Sequence, residues 1–203
     1  MHSAETWRLF VAIPLPGPVR REIESLQIAW RSALPPRTIR WTHCEQLHLT
    51  LKFLGDVATD QVQALTTALE GASRPQAPLR LVTQGAGVFP NEHSPRVLWV
   101  GVRDLDGRLA ALQQEVETAV AGFVRSEPAG PFTGHVTLGR VREGARSIAG
   151  VIKDLVAAAA RRKFGEWTAT AMDLMRSELS PAGARHTRVA ELPLGRNPQA
   201  PER

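Results

Sequence analysis

Two short stretches of this chain carry the same four-residue pattern. His48 opens His-Leu-Thr-Leu within LHLTLKFLG (47–55), and His135 opens His-Val-Thr-Leu within HVTLGR (135–140). On an extended strand, residues two apart point the same way. Each copy therefore presents an imidazole, from His48 or His135, and a hydroxyl, from Thr50 or Thr137, on one face. An imidazole exchanges a proton near neutral pH, and a threonine hydroxyl is a short donor for an oxyanion. Two such pairs converging from opposite sides would hold a tetrahedral anion. One imidazole would take a proton from water while the other gives one to the leaving oxygen. That chemistry suits phosphodiesters, above all strained cyclic ones, and needs neither metal nor covalent nucleophile. One His-x-Thr alone means little, because both residue types sit well on a half-buried strand. Two copies followed by the same order of elements carry weight.

Neighbouring residues offer further candidates, each with two readings. Lys52 shares the His48 face by strict alternation and could meet a phosphate, or it is a solvated strand-end lysine. Arg140 falls on the face opposite His135; it reaches the site only if Gly139 marks a bulge and otherwise makes a structural ion pair. Phe10 lies off the main apolar face of its strand and either stacks on a base or fills the core. His43, Cys44, Glu45 and His48 are close enough in sequence to suggest zinc. A continuous strand, however, turns His43 and His48 to opposite faces, and the spacing matches no closed zinc motif. His2, His93 and His186 read as terminal or turn residues without chemistry. A Gly-rich phosphate loop, a Cys-x-x-Cys pair and a nucleophile elbow are all absent from the sequence. No cofactor or metal is expected.

The elements that must position these residues follow from periodicity. In TWRLFVAIPL, Trp7, Leu9, Val11 and Ile13 share one face of a strand. Val19, Ile23, Leu26 and Trp30 form the stripe of a helix over 17–33, which Pro35-Pro36 stops. Leu47, Leu49, Leu51 and Phe53 form the core face of the His48 strand. A helix at about 60–72, which Thr59 or Asp60 can cap, leads to a strand at 78–89. The turn PNEHSP, the strand RVLWVGV and a helix started by Asp104 or Asp106 come next. After the His135 strand, Ser147 can cap a fourth helix ending in Arg161-Arg162-Lys163. Two strands, at 166–178 and 185–193, close the pattern. Helix and strand succeed each His-x-Thr strand at matching offsets, which indicates a duplicated unit. The expectation is an α+β fold, in which helices cover the outer side of two mainly antiparallel sheets facing a central cleft. It forms a single bilobal catalytic domain over 1–194 with a polar tail at 195–203.

Bulk properties bound the partners. The 203 residues carry a net charge of +5, which favours a polyanion such as RNA or simply aids solubility. One cysteine excludes an internal disulfide framework and fits a reducing compartment. No apolar run is long enough to cross a bilayer, and the N-terminus reads as a first strand. A cytoplasmic monomer without a membrane partner is expected.

Five segments also carry a family resemblance: RLFVAIPLP (8–16), RWTHCEQLHLTLKFLGDV (40–57), GVFPNEHSPRVLWVGV (87–102), FTGHVTLGRVR (132–142) and SELSPAGARHTRVAELPL (177–194). In these the chain resembles the 2H phosphoesterases, specifically the RNA 2′,3′-cyclic phosphodiesterases, also called the 2′-5′ RNA ligase family. The resemblance implies a bilobal fold with pseudo-two-fold symmetry. It also implies metal-independent hydrolysis of RNA or nucleoside 2′,3′-cyclic phosphates to 2′-phosphates. It makes His48 the proton donor to the departing 3′ oxygen, His135 the acceptor of water's proton, and Thr50 and Thr137 phosphate contacts. Gly134 stands where the family usually has proline, and His186 where it usually has tyrosine. A 2′-5′ RNA ligase and a non-catalytic RNA-binding module are the alternatives.

Overall fold

A computed structural model describes residues 5–124, 131–142, 148–180 and 183–195. His2, Ser147 and the tail beyond Gly195 lie outside the described residues.

The chain begins with β1 (Thr6–Pro14), α1 (Gly17–Ala33), β2 (Ile39–Trp41) and β3 (His48–Ala58). It continues through α2 (Val62–Ser73), β4 (Leu79–Phe89), β5 (Val97–Asp104) and α3 (Leu109–Val120). The last elements are β6 (His135–Val141), α4 (Ala149–Ala159), β7 (Lys163–Ala169), β8 (Ala171–Ser180) and β9 (Gly183–Pro193). α1 starts with proline in its first turn, where a missing N–H costs nothing, and buries Val19, Ile23, Leu26 and Trp30 as expected. Asp104 starts α3: its Oδ2 accepts the backbone N–H groups of Arg108 and Leu109. Thr59 and Asp60 do not cap α2. They form a 3₁₀ turn ahead of it, and no side chain caps the helix.

All strand pairings are antiparallel, in the order β7-β4-β5-β6-β3-β1-β8-β9, with β2 also on β6. The two expected sheets are halves of one continuous sheet. The half β3-β1-β8-β9 meets the half β6-β5-β4-β7 at a single residue pair, Leu49 with Val136. Two helices, α2 and α3, pack together against β3, β8 and β9; α1 lies on β7, and α4 on β4. Buried Leu9, Val11, Ile13, Leu49, Leu98, Val100 and Val136 belong to one apolar core with these helices. The other face of the sheet is open. Among the described residues no helix is long and apolar enough to cross a membrane.

The strand expected over 166–178 is two strands. β7 pairs with β4 and β8 with β1, in opposite halves of the sheet, and the chain crosses between them at Thr170. The apolar phase slips there, from Trp167 and Ala169 to Met172 and Leu174, which an unbroken strand could not bury on one face.

Both motif strands carry a bulge three residues after their histidine. Pairing passes from Ala12–Thr50 to Val11–Lys52, skipping Leu51. It passes from Trp99–Thr137 to Leu98–Gly139, skipping Leu138. Each bulge reverses the alternation beyond it. Lys52 therefore sides with buried Val11 rather than with His48, and its Nζ lies 2.6 Å from Glu117 Oε2 on α3. Phe53, expected in the core, is 63% exposed.

A buried polar side chain holds the second bulge. Gln27 on α1 is 2% exposed, and its amide donates to the carbonyl oxygens of Thr42 at 2.9 Å and Leu138 at 2.8 Å. Gln27→Leu keeps the bulk but removes the donor from the Thr42 carbonyl and one of two donors from the Leu138 carbonyl, which keeps the Thr42 N–H at 2.9 Å. It should cost about 1–3 kcal/mol, read as a lowered midpoint in denaturant unfolding; an unchanged midpoint would mean that the two bonds contribute nothing.

Candidate active site

Leu49 and Val136, the middle residues of the two motifs, are both fully buried. The residues on either side of them, His48, Thr50, His135 and Thr137, are half-buried and point to the open face by alternation. The antiparallel order around this one pair runs His48 toward Thr137 and Thr50 toward His135. The four residues singled out by the sequence are thus brought together.

Both histidines are held in the same way. His48 Nδ1 is 2.7 Å from the carbonyl oxygen of Gln46, and His135 Nδ1 is 2.8 Å from that of Thr133. A carbonyl only accepts, so Nδ1 carries the proton and donates it. Nε2 is left to exchange a proton with whatever binds. The ring surroundings differ. Phe10, 2% exposed, packs 4.9 Å from His48 and 4.9 Å from His186, and His186 stands edge-on to His48 at 5.3 Å. His135 has Phe89 edge-on at 5.0 Å and Trp99 at 6.3 Å. The Trp99 ring lies so close over Gly87 that any side chain there would collide with it.

Burial pushes the pKa of His48 down to about 4; positive charge on His186 or His135 would push it the same way, and the Gln46 carbonyl opposes both. Burial also lowers that of His186. A cavity of about 300 Å³ opens beside His48, with Ala12, Pro14, Leu47, Asp173, Met175 and His186 in its wall. Burial raises the Asp173 carboxyl to about 6, against the pull of Arg188.

The neighbouring candidates divide. Lys52 is turned to α3 and is not brought to the site. Arg140 is: the bulge that it needs occurs one residue earlier than expected, at Leu138, so Arg140 shares the open face with Thr137 and is exposed. Directly opposite it on β2 is Arg40, also exposed. Phe10 fills the floor beneath His48 and His186. His43, Cys44 and Glu45 sit in and before a short 3₁₀ turn. Among the described residues no three His, Cys, Asp or Glu side chains gather as a metal site. Burial and the neighbouring Glu24 raise the Cys44 thiol, the reverse of what a thiolate ligand needs. His93 lies exposed in the turn before β5. His186 was misread. It belongs to β9, opposite Ser177, within the strand expected at 185–193; that expectation already excluded a turn. Asp173 was missed, although an acid inside the apolar run AMDLM was the available signal. At Gly134 an added Cβ would lie 2.6 Å from the Val102 carbonyl, while the Gly134 carbonyl accepts the Val102 N–H at 2.8 Å. Glycine lets β5 approach closely just before His135.

Comparison with known proteins agrees with the duplication. A family profile described as LigT-like phosphoesterase matches residues 13–99 and again 100–186. A protein of Methanothermobacter thermautotrophicus named RNA 2′,3′-cyclic phosphodiesterase is 31% identical over 182 residues, covering 89% of this chain and 95% of that protein. A crystal structure from Thermus thermophilus superposes with a TM-score of 0.74 at 28% identity, covering 94% of this chain and all of that one, 100%. That of Escherichia coli LigT complexed with 3′-AMP gives 0.70 at 29% identity, covering 95% of this chain and 100% of the other.

The depressed His48 pKa has a sign that can be checked. The unfolded chain takes up this proton near the ordinary value of about 6.5, the folded chain only near 4. Folding stability from this group is therefore intact above about 6.5 and falls as pH drops toward 4. Imidazole NMR of the ligand-free protein should show His48 still neutral at pH 5.5, and an inert phosphate analogue should move its midpoint upward. A ligand-free midpoint near 6.5 would refute the burial effect.

Proposed function

Because the chain belongs to the LigT-like phosphoesterases, we propose that it hydrolyses RNA or nucleoside 2′,3′-cyclic phosphates to 2′-phosphates by acid–base catalysis between His48 and His135. The observation that carries this reading is the symmetric anchoring of both imidazoles: each gives Nδ1–H to a backbone carbonyl and keeps Nε2 for the open face, beside a threonine hydroxyl. The name borne by similar proteins supports the same substrate.

In this mechanism His135 Nε2 takes a proton from water as its oxygen attacks phosphorus. The bond from phosphorus to the 3′ oxygen breaks, and His48 Nε2 gives that oxygen its proton. The 2′ ester bond stays. Thr50 and Thr137 donate to the non-bridging oxygens, which gain charge in the transition state. After turnover His135 holds a proton and His48 lacks one, and exchange with solvent resets both. His48 is neutral in the empty site, so it is charged together with substrate: the phosphate's negative charge favours the imidazolium. Once charged, His48 Nε2 is the acid that meets the alkoxide leaving group. Arg40 and Arg140 on the same face, and the net charge of +5, attract the RNA backbone. All of these residues come from one chain, so a monomer carries the whole site.

RNA with a 2′,3′-cyclic end should be converted to the 2′-phosphate in the presence of a chelator. A requirement for a divalent ion would overturn the two-histidine mechanism, and joining to an added 5′-hydroxyl RNA would redirect the reading to ligation. His48→Ala and His135→Ala should each lose roughly 10²- to 10⁴-fold in rate, and the double variant should be little worse than either, because the two act in one step. A substrate with sulfur in place of the 3′ oxygen leaves without help from an acid. It should restore His48→Ala and not His135→Ala; the opposite pattern would exchange the two roles.

A further inference from the structure

The cavity beside His48 has features that hydrolysis of a cyclic phosphate does not use. Its volume of about 300 Å³ lies at the lower end of small-ligand sites. Ala12, Pro14, Leu47 and Met175 give it apolar walls, and His48 closes one side. Arg20, Glu45, Gln46 and Arg185 also line it. Asp173 of β8 stands in the wall. Thr50, Ala12 and Asp173 are partners in one row across β3, β1 and β8, so Asp173 shares the open face with Thr50. Two strand spacings, about 10 Å, separate them. That is comparable with the reach from a ribose phosphate to the far edge of its own base.

Asp173 is 6% exposed, yet its charge is poorly met. Its buried Oδ1 accepts no hydrogen bond. The Arg188 guanidinium is 3.8 Å from that oxygen, and the same nitrogen is 2.5 Å from Glu191. A buried carboxylate short of donors costs stability. Such a group is explained where a ligand brings the missing donors.

We infer that this cavity takes the base of the nucleotide bearing the cyclic phosphate, and that Asp173 selects guanine there. The inference rests on the hydrolytic reading above, which places the phosphate between His48 and His135. Guanine offers N1–H and the N2 amino group side by side, two donors that one carboxylate accepts together. Adenine and cytosine set a ring-nitrogen lone pair beside their amino group, and uracil flanks its N3–H with two carbonyls. Each of these turns a lone pair toward the carboxylate.

Calorimetric binding of the four nucleoside 2′-monophosphates to the full chain tests the pocket without relying on turnover. 2′-GMP should bind on the order of 10- to 100-fold more tightly than the other three, as expected for a charge-assisted pair of hydrogen bonds. Inosine 2′-monophosphate, which lacks the N2 amino group, should lose much of that advantage. Asp173→Asn should bring 2′-GMP within a few fold of 2′-AMP. It should also leave the melting temperature unchanged or raised above pH 7, whereas a purely structural carboxylate would lower it. Equal binding of all four by the wild type, or a guanine preference that survives Asp173→Asn, overturns the inference. If that variant does not fold, the inosine comparison on the wild type decides. Turnover of the four cyclic nucleotides separates the two readings. Hydrolysis with no base preference in rate or binding sinks the role of Asp173 alone. Absent hydrolysis with guanine-selective binding sinks the reaction and leaves the pocket assigned.

Discussion

One cross-strand pair, Leu49 against Val136, is the constraint on which the site depends. It is the only pairing between the two halves of the described sheet, and each partner lies between a histidine and a threonine. Because side chains alternate, burying these two middle residues forces all four flanking ones outward. A slip of one residue in either strand would send a histidine and a threonine into the core and an aliphatic residue to the open face. The apolar core and the polar site are therefore specified by the same pairing. The bulges at Leu51 and Leu138 then release the strands from that alternation, each three residues beyond its histidine. In the first half the release brings Phe53 to the open face, and in the second half it brings Arg140. Duplicated backbone geometry delivers an aromatic ring on one side and a cation on the other.

The two histidines are alike in backbone anchoring and unlike in surroundings. His48 sits deep among rings, with Phe10 beneath it and His186 edge-on, and burial discharges it. Phe89, edge-on, and Trp99, tilted, flank His135 instead. An acid and a base working in one step must hold different protonation states at the same pH. Burial alone opposes the charged form that the acid needs, so in the proposed mechanism the bound phosphate supplies the difference; the unlike neighbours come from β1 and β9 on one side and from β4 and β5 on the other.

Much of this was legible in the sequence, because period and spacing are local. The α1 stripe from Val19 to Trp30, the His-x-Thr faces and the duplication all follow from residues near one another in the chain. What was not legible depends on partners far away. Lys52 and Phe53 were placed by strict alternation, and the bulge that reverses them is set by pairing with β1. The break at Thr170 separates strands whose partners lie in opposite halves of the sheet, although the phase slip before Met172 could have revealed it. Gln27 sits on the buried side of α1, where its amide meets the carbonyls of Thr42 and Leu138; a helical stripe of apolar residues gives no hint of them. His186 was within an expected strand, and only the β8–β9 register shows which residue it faces.

Buried polar atoms finally separate what holds the fold from what serves a ligand. Gln27 is nearly inaccessible, and its amide meets two carbonyl acceptors. Four buried side-chain atoms among the described residues have no such partner: Trp99 Nε1, Trp167 Nε1, Asp173 Oδ1 and His186 Nδ1. A native core rarely tolerates these, and their placement is not random. Trp99 neighbours His135, His186 neighbours His48, and Asp173 lines the cavity beside it; Trp167 alone belongs to β7, away from the motif strands. Desolvation that the fold leaves uncompensated is thus concentrated where a polar ligand would enter. With three of these four unpartnered atoms gathered there, the hydrogen-bonding inventory of the described residues marks the open face around Leu49 and Val136 as the surface where a polar ligand would supply what the fold does not.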